Sequence, residues 1–144
     1  MILVDVNVLI YAIDEDSAHH REAKSWLEKA LSGKERIGLA WIVILAFVRL
    51  TTRAGIFARP LTVEIAFSLL SEWLDHPNVS ILHPGPHHAQ ILRTLLLETG
   101  TAGNLATDAH LAALAIEHRA LLCSFDHDFA RFPRLKWRNL VSEK

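Results

Sequence analysis

The chain has 144 residues, enough for one domain with a core of its own, and 51% apolar against 22% charged residues excludes a disordered chain. With 15 Lys and Arg against 16 Asp and Glu the net charge is −1, so any surface for a polyanion has to be local rather than global. The single cysteine, Cys123, excludes an intramolecular disulfide and fits a reducing, cytoplasmic setting. The longest uncharged apolar-rich run, residues 37–48, falls short of the roughly 20 residues that span a bilayer, and Asp5 interrupts the apolar start, so neither a membrane segment nor a signal peptide is expected.

Residues 2–5 read as a short buried strand, aliphatic, β-branched and continuous. Asn7 is placed to cap a short helix to about Ile13. Asp16 or Ser17 then starts a longer one, with Ala23, Trp26, Leu27, Ala30 and Leu31 on one face and Gly33 as its stop. Residues 36–39 suit a second short strand. Residues 41–52 predict a buried helix, with strand as the alternative that their β-branched content keeps open. Residues 62–74 are amphipathic in the helical period, and Pro77 prevents their continuation. A strand at 79–82, a helix at 86–98 with Gly100 beyond its end, a helix at 104–118, a strand at 120–124 and an edge strand at 136–139 complete the chain. This alternation predicts an α/β fold, a three-layer α/β/α sandwich around a mostly parallel sheet, as a single domain over residues 1–144.

Four aspartates stand where apolar residues would be expected. Asp5 ends the run Met1-Ile2-Leu3-Val4, Asp108 interrupts the alanine- and leucine-rich segment 105–116, and Asp126 and Asp128 follow Ala120-Leu121-Leu122-Cys123. A lone carboxylate in such a place is costly unless it is paired or binds a cation. Ligands of open parallel sheets bind beyond the carboxyl ends of the strands, where Asp5 and Asp126 are both expected. Asp108 lies one turn into its helix, with Asn104 four residues earlier on the same face, and joins them if that helix begins at the same edge. Acids with few histidines among them suit a hard cation, Mg2+ or Mn2+ rather than zinc, able to activate water and stabilise charge on a phosphoryl group. Taken singly, each acid has an ordinary reading: Asp5 as a turn cap, Asp108 as a helix acid compensating the dipole, Asp126 and Asp128 as turn formers. The joint placement carries the argument for a site. The nine histidines do not cluster at ligand spacing, and His110 and His127, which flank acids, are read as polar or packing residues.

Together these segments resemble a PIN-domain ribonuclease of the VapC type, the toxin of a toxin–antitoxin pair. Ile2-Leu3-Val4-Asp5-Val6-Asn7 is similar to the family's first acidic motif and Leu45-Ala46-Phe47-Val48-Arg49-Leu50 to its second. The segment 104–112, with Asp108 followed by Ala109, is similar to the third, and Ser124-Phe125-Asp126-His127-Asp128-Phe129 to the fourth. The motifs are short, but their ordered set spans nearly the whole chain. The resemblance implies a magnesium-dependent endoribonuclease acting on RNA, with Mn2+ able to substitute, held in check by a cognate antitoxin and built as a homodimer. It implies Asp5, Asp108 and Asp126 as metal-site acids, Asp128 as an auxiliary acid, and Asn7, Asn104 and Ser124 as groups that orient them. One departure stands out: Ala46 occupies the place of a glutamate in the second motif. Alanine neither binds metal nor polarises water, so a second metal ion is in doubt, with Glu98 as a candidate replacement. The alternative reading is a non-catalytic module that grips RNA or a protein, and a third is a phosphohydrolase acting on small phosphate esters.

Residues 36–63 contain no Asp or Glu but carry Arg36, Arg49, Arg53 and Arg59, while Arg131, Arg134, Lys136 and Arg138 cluster near the end. Either group could contact phosphates, Arg49 and Arg53 being the RNA-binding candidates. The competing reading has Arg49 neutralising the acidic pocket and the rest forming a solvated face. Trp41, Phe47, Phe57, Phe67 and Trp73 are expected in core or interface packing, and the segment 41–74 is apolar enough to offer a groove to an antitoxin helix.

Overall fold

Five short strands, β1 (Ile2–Val4), β2 (Ile37–Ala40), β3 (Val79–Leu82), β4 (Leu121–Ser124) and β5 (Trp137–Asn139), pair in parallel in the order β3-β2-β1-β4-β5. They belong to a computed structural model that describes residues 1–100, 102–103 and 105–141. Helices α1 (Val6–Ile13) and α2 (His20–Ser32) connect β1 to β2, α3 (Trp41–Thr51) and α4 (Val63–Leu74) connect β2 to β3, and α5 (His88–Thr99) and α6 (Leu105–Glu117) connect β3 to β4. A 3₁₀ turn, His127–Arg131, lies between β4 and β5. The first two crossovers step outward in one direction and the third returns across the sheet. Because parallel crossovers are right-handed, α1–α4 cover one face and α5 and α6 the other, which gives three layers. The direction reverses between β1 and β4, and this is where open α/β sheets carry their ligands.

The central pair is dry. Leu3 and Val4 of β1 and Leu122 and Cys123 of β4 are fully buried, as continuous aliphatic strands covered on both faces should be. Segment 41–52 resolves as helix because its buried residues, Val43, Ile44, Phe47 and Thr51, fall on a helical stripe, and the hydroxyls of Thr51 and Thr52 bond back to the carbonyls of Phe47 and Val48. Phe47 and Trp73 meet edge to face at 5.3 Å in the core between α3 and α4. Trp41 and Phe67, expected in packing as well, remain 50% and 48% exposed on those same helices. Helix α5 ends on Gly100 at φ 74°, a left-handed cap that only glycine adopts without strain.

Two starts differ from expectation. Asp5, not Asn7, caps α1, because β1 already ends at Val4 and the extended Asp5 backbone aims its carboxylate at the first free N–H. Helix α2 begins at His20 rather than at Asp16 or Ser17. The polar side chains there satisfy local turns instead: Asp14 accepts from the Asp16 N–H and Ser17 from the His19 N–H. Among the described residues no helix is long and apolar enough to cross a membrane.

Candidate metal centre

The pairing of β1 with β4 runs through Val4 opposite Cys123, and the Asp5 N–H extends it by donating to the Cys123 carbonyl at 3.1 Å. Asp5 therefore arrives beside Ser124 at the carboxyl edge of the sheet. One oxygen of Asp5 accepts from the Val6 N–H at 2.8 Å, and the other accepts from the Ser124 hydroxyl at 2.7 Å and the Asn7 amide at 3.3 Å. The Ser124 oxygen in turn accepts from Asn7 Nδ2 at 3.1 Å and from the Asp126 N–H at 2.9 Å. A hydroxyl has one proton and two lone pairs, so this one is fully used. Asn7 closes the network by accepting from the Phe125 N–H at 3.1 Å. Replacing Ser124 by alanine should therefore cost about 1–3 kcal/mol, since it strands part-buried donors and removes a bond that favours the Asp5 carboxylate. Urea unfolding checks this, and Ser124→Thr, which keeps the hydroxyl, should recover most of the loss.

Helix α6 runs back into β4, so its first turn, which holds Asp108, lies at the same edge as Asp5 and Asp126. Asp126 caps the 3₁₀ turn, its Oδ1 accepting from the Asp128 N–H at 2.9 Å. One carboxylate oxygen from each of Asp108, Asp126 and Asp128 lies within 4.8 Å of the others. Asp128, expected as the auxiliary acid, thus stands inside this grouping, and Asp5 stands beside it with both oxygens hydrogen-bonded. Burial and then the charges of Asp126, Asp5 and Asp128 push the Asp108 carboxyl up to about 6, with Arg131 opposing them. Burial also raises Asp5, against the Ser124 and Val6 bonds that hold it down, and Asp126 adds to the rise. Four carboxylates that repel one another fit a hard divalent cation, which accepts oxygen ligands and removes the repulsion.

A cleft of about 540 Å³ opens from this edge between the starts of α1 and α6 and the length of α3. Asp5 and Asp108 lie in its wall, as do Ala46 and Arg49. The PIN domain profile matches residues 2–135. The chain belongs to the PIN-domain family, among its VapC members. Ribonuclease VapC37 of Mycobacterium tuberculosis is 49% identical over 137 residues, 95% of each chain. Ribonuclease VapC33 of the same organism is 42% identical over 143 residues, covering 99% of this chain and 100% of that one. Among solved structures, VapBC2 from Rickettsia felis bound to a promoter DNA fragment superposes with a TM-score of 0.71 at 22% identity, over 96% of this chain and 98% of that one. Mycobacterium tuberculosis VapC20, described as a sarcin–ricin loop cleaving toxin, gives 0.66 at 17% identity over 90% and 93%.

In this PIN domain the remaining expected residues fall in different places. Arg49 lines the cleft but is in no ion pair with a described residue, and the charges that shift Asp5 and Asp108 come from other residues. Arg53 is exposed beyond the end of α3 and is not part of the cleft wall. Glu98 is not at the Ala46 position: it pairs with Arg134 at 2.7 Å near the end of α5. Asn104 lies outside the described residues. His110 shares a 2.9 Å hydrogen bond with His88, and the His127 ring lies against Trp137, so both have packing or polar partners. Two residues escaped sequence reasoning as parts of the site. Thr107 lines the cleft beside Asp108, and nothing but that adjacency signals it. Arg131 reads from sequence as part of a basic tail, yet its charge acts on Asp108 because the 3₁₀ turn folds it back.

Proposed function

We infer that this VapC-family protein is a divalent-metal-dependent endoribonuclease, using Mg2+ with Mn2+ able to substitute, and the toxin of a toxin–antitoxin pair. The observation that carries this reading is the grouping of Asp108, Asp126 and Asp128 beside a hydrogen-bonded Asp5 at the mouth of an open cleft. The names of its relatives as ribonucleases support it. Asp108, Asp126 and Asp128 would hold the ion, with Asp5 alongside. When bound, such an ion supplies Lewis-acid polarisation of a phosphoryl oxygen. The chain supplies the rest. Ser124 and Asn7 fix the Asp5 carboxylate, Asp126 positions Asp128 through its cap, and Arg49, Arg53 and Arg131 offer charge to the flanking phosphates.

Trp41 and Leu45 on α3 and Val63, Ile65 and Phe67 on α4 leave large apolar side chains exposed. That surface suits the apolar face of a cognate antitoxin helix, and the VapBC complexes among the structural relatives favour this partner. A homodimer and a cytoplasmic setting complete the proposal. The thiol of Cys123 is buried and pushed up to about 11, so it stays an inert apolar group.

Purified protein should cut RNA only with Mg2+ or Mn2+, and Asp5→Asn or Asp108→Asn should abolish the cutting. Cleavage in the presence of a chelator, or cleavage surviving both substitutions, overturns the reading. The second reading, a binding module, is favoured by Ala46 and predicts tight RNA binding with no metal-stimulated cutting of any RNA. Turnover of a small phosphate ester with RNA untouched would instead indicate a phosphohydrolase.

The acids also set a pH dependence. A carboxyl whose pKa is raised by folding binds its proton more tightly in the folded chain. Its contribution to stability is complete below about pH 4 and is lost as pH rises through about 6. Metal competes with that proton, so Mn2+ affinity should fall as pH is lowered through about 6. Calorimetric titration across that range should show proton release on binding, and a flat profile would remove Asp108 from the ligand set.

A further inference from the structure

Past the acids, the cleft changes character. Its α3 wall is Ile42, Leu45, Ala46 and Leu50, all apolar, and Arg49 is exposed on that wall with no ion-pair partner among the described residues. At about 540 Å³ the cleft falls within the roughly 300–1,000 Å³ of small-ligand pockets and exceeds what a hydrated ion requires. A longer acid at position 46 would fill and charge this space, whereas alanine leaves it open and apolar. Contact with a phosphate chain alone needs cations, not an aliphatic wall. A nucleotide has both halves of this surface: a flat, weakly polar base and an anionic phosphate.

We propose that the cleft over Ala46 is a nucleobase pocket that takes one unpaired nucleotide of the RNA substrate, its base against Ile42, Ala46 and Leu50 and its adjoining phosphate on Arg49. The proposal rests on the ribonuclease reading above. A base stacked within a helix cannot enter such a slot, so the pocket selects a nucleotide splayed out of a loop, bulge or single strand, next to the phosphate that reaches the acids. The wall offers few hydrogen-bonding groups, with Thr107 the uncharged polar side chain in it, so selection rests on extrusion and shape more than on the identity of the base. Ala46 and Arg49 are then specificity-determining residues, the first through the room it leaves and the second through its exposed charge.

The test measures binding with magnesium withheld, so that nothing is cut. The probes are a fluorescein-labelled single-stranded oligoribonucleotide, the same strand fully paired in a duplex, and an abasic strand of equal length. Wild-type protein should prefer the single strand to the abasic strand by about tenfold. Ala46→Leu, which fills the slot, should erase that preference by weakening the single strand about tenfold while leaving the abasic strand and the duplex unchanged. Arg49→Gln should weaken single and abasic strands alike. Ala46→Met fills the same space with a more adaptable side chain and serves if the leucine variant unfolds on heating earlier than wild type. Equal binding of abasic and base-bearing strands overturns the proposal. So does an Ala46→Leu variant that binds single strands like wild type, which would give the cleft to a protein segment. Base-dependent binding without any metal-dependent cleavage would overturn the ribonuclease reading and leave the pocket standing. Cleavage with base-independent binding would do the reverse.

Discussion

Replacing Asp108 by asparagine should abolish metal-dependent cleavage and, in the absence of metal, make the protein more stable. The two effects share one cause. Asp108 is half-buried among three like charges, which hold its carboxyl up to about 6, so at neutral pH the folded chain carries an ionised group it would rather protonate. Asparagine keeps the shape and removes the charge. Activity should drop by about 10³-fold or more, to the background of the assay, at the upper end of the loss that follows removal of one preorganised electrostatic group. Stability in chelator should rise by about 1 kcal/mol at pH 7, well below the full shift, because solvent screens a half-buried carboxyl. With Mn2+ present the order should invert, since wild type gains binding energy that the variant cannot. Urea unfolding with chelator and with Mn2+ measures both halves, and a variant less stable than wild type in chelator would remove the repulsion account.

The second large effect lies in a residue that touches no metal. Phe129 is fully buried in the 3₁₀ turn, beside Phe132 and Trp137. Phe129→Ala should cost about 3–5 kcal/mol, a large fraction of the stability of a domain this size. The loss should reach function as well, because Asp128 precedes Phe129 and is held in the acid grouping by the same turn. Manganese affinity should fall even where the variant remains folded, and Phe129→Leu should recover part of both. Loss of stability with unchanged manganese affinity would show that Asp128 is positioned by its bond to Asp126 alone.

Much of this fold is legible in the sequence because its strands are short aliphatic runs bounded by breakers. Residues 79–82 stand between Pro77 and Pro84 and form β3 over those same positions. The convergence of Asp5, Asp108 and Asp126 on one edge is legible too, since parallel topology fixes where strand ends and helix starts must lie. The start of α2 is less so, because Asp14 and Ser17 offer their oxygens to turns, a choice that capping chemistry does not distinguish from a helix start. The place of Asp128 depends on a 3₁₀ turn built on the burial of Phe129, and the burial of one phenylalanine is a tertiary fact. The place of Arg49 in the cleft wall and the pairing of Glu98 with Arg134 depend likewise on how helices dock. Sequence offers both side chains as candidates for the pocket, and only packing assigns one to the cleft and the other elsewhere.

The bond between Ser124 and Asp5 joins residues 119 positions apart. Until β4 is laid beside β1 there is no acid cluster, and β4 is the last central strand to be synthesised. A growing chain therefore carries Asp5 and Asp108 into the cell without the partners that gather them, in close proximity to the RNA of its own ribosome. On the ribonuclease reading, such late closure would leave the site unassembled until the central strands are complete. Ribosome-bound chains arrested before Leu121 has emerged should retain no manganese, and chains arrested after the 3₁₀ turn has emerged should.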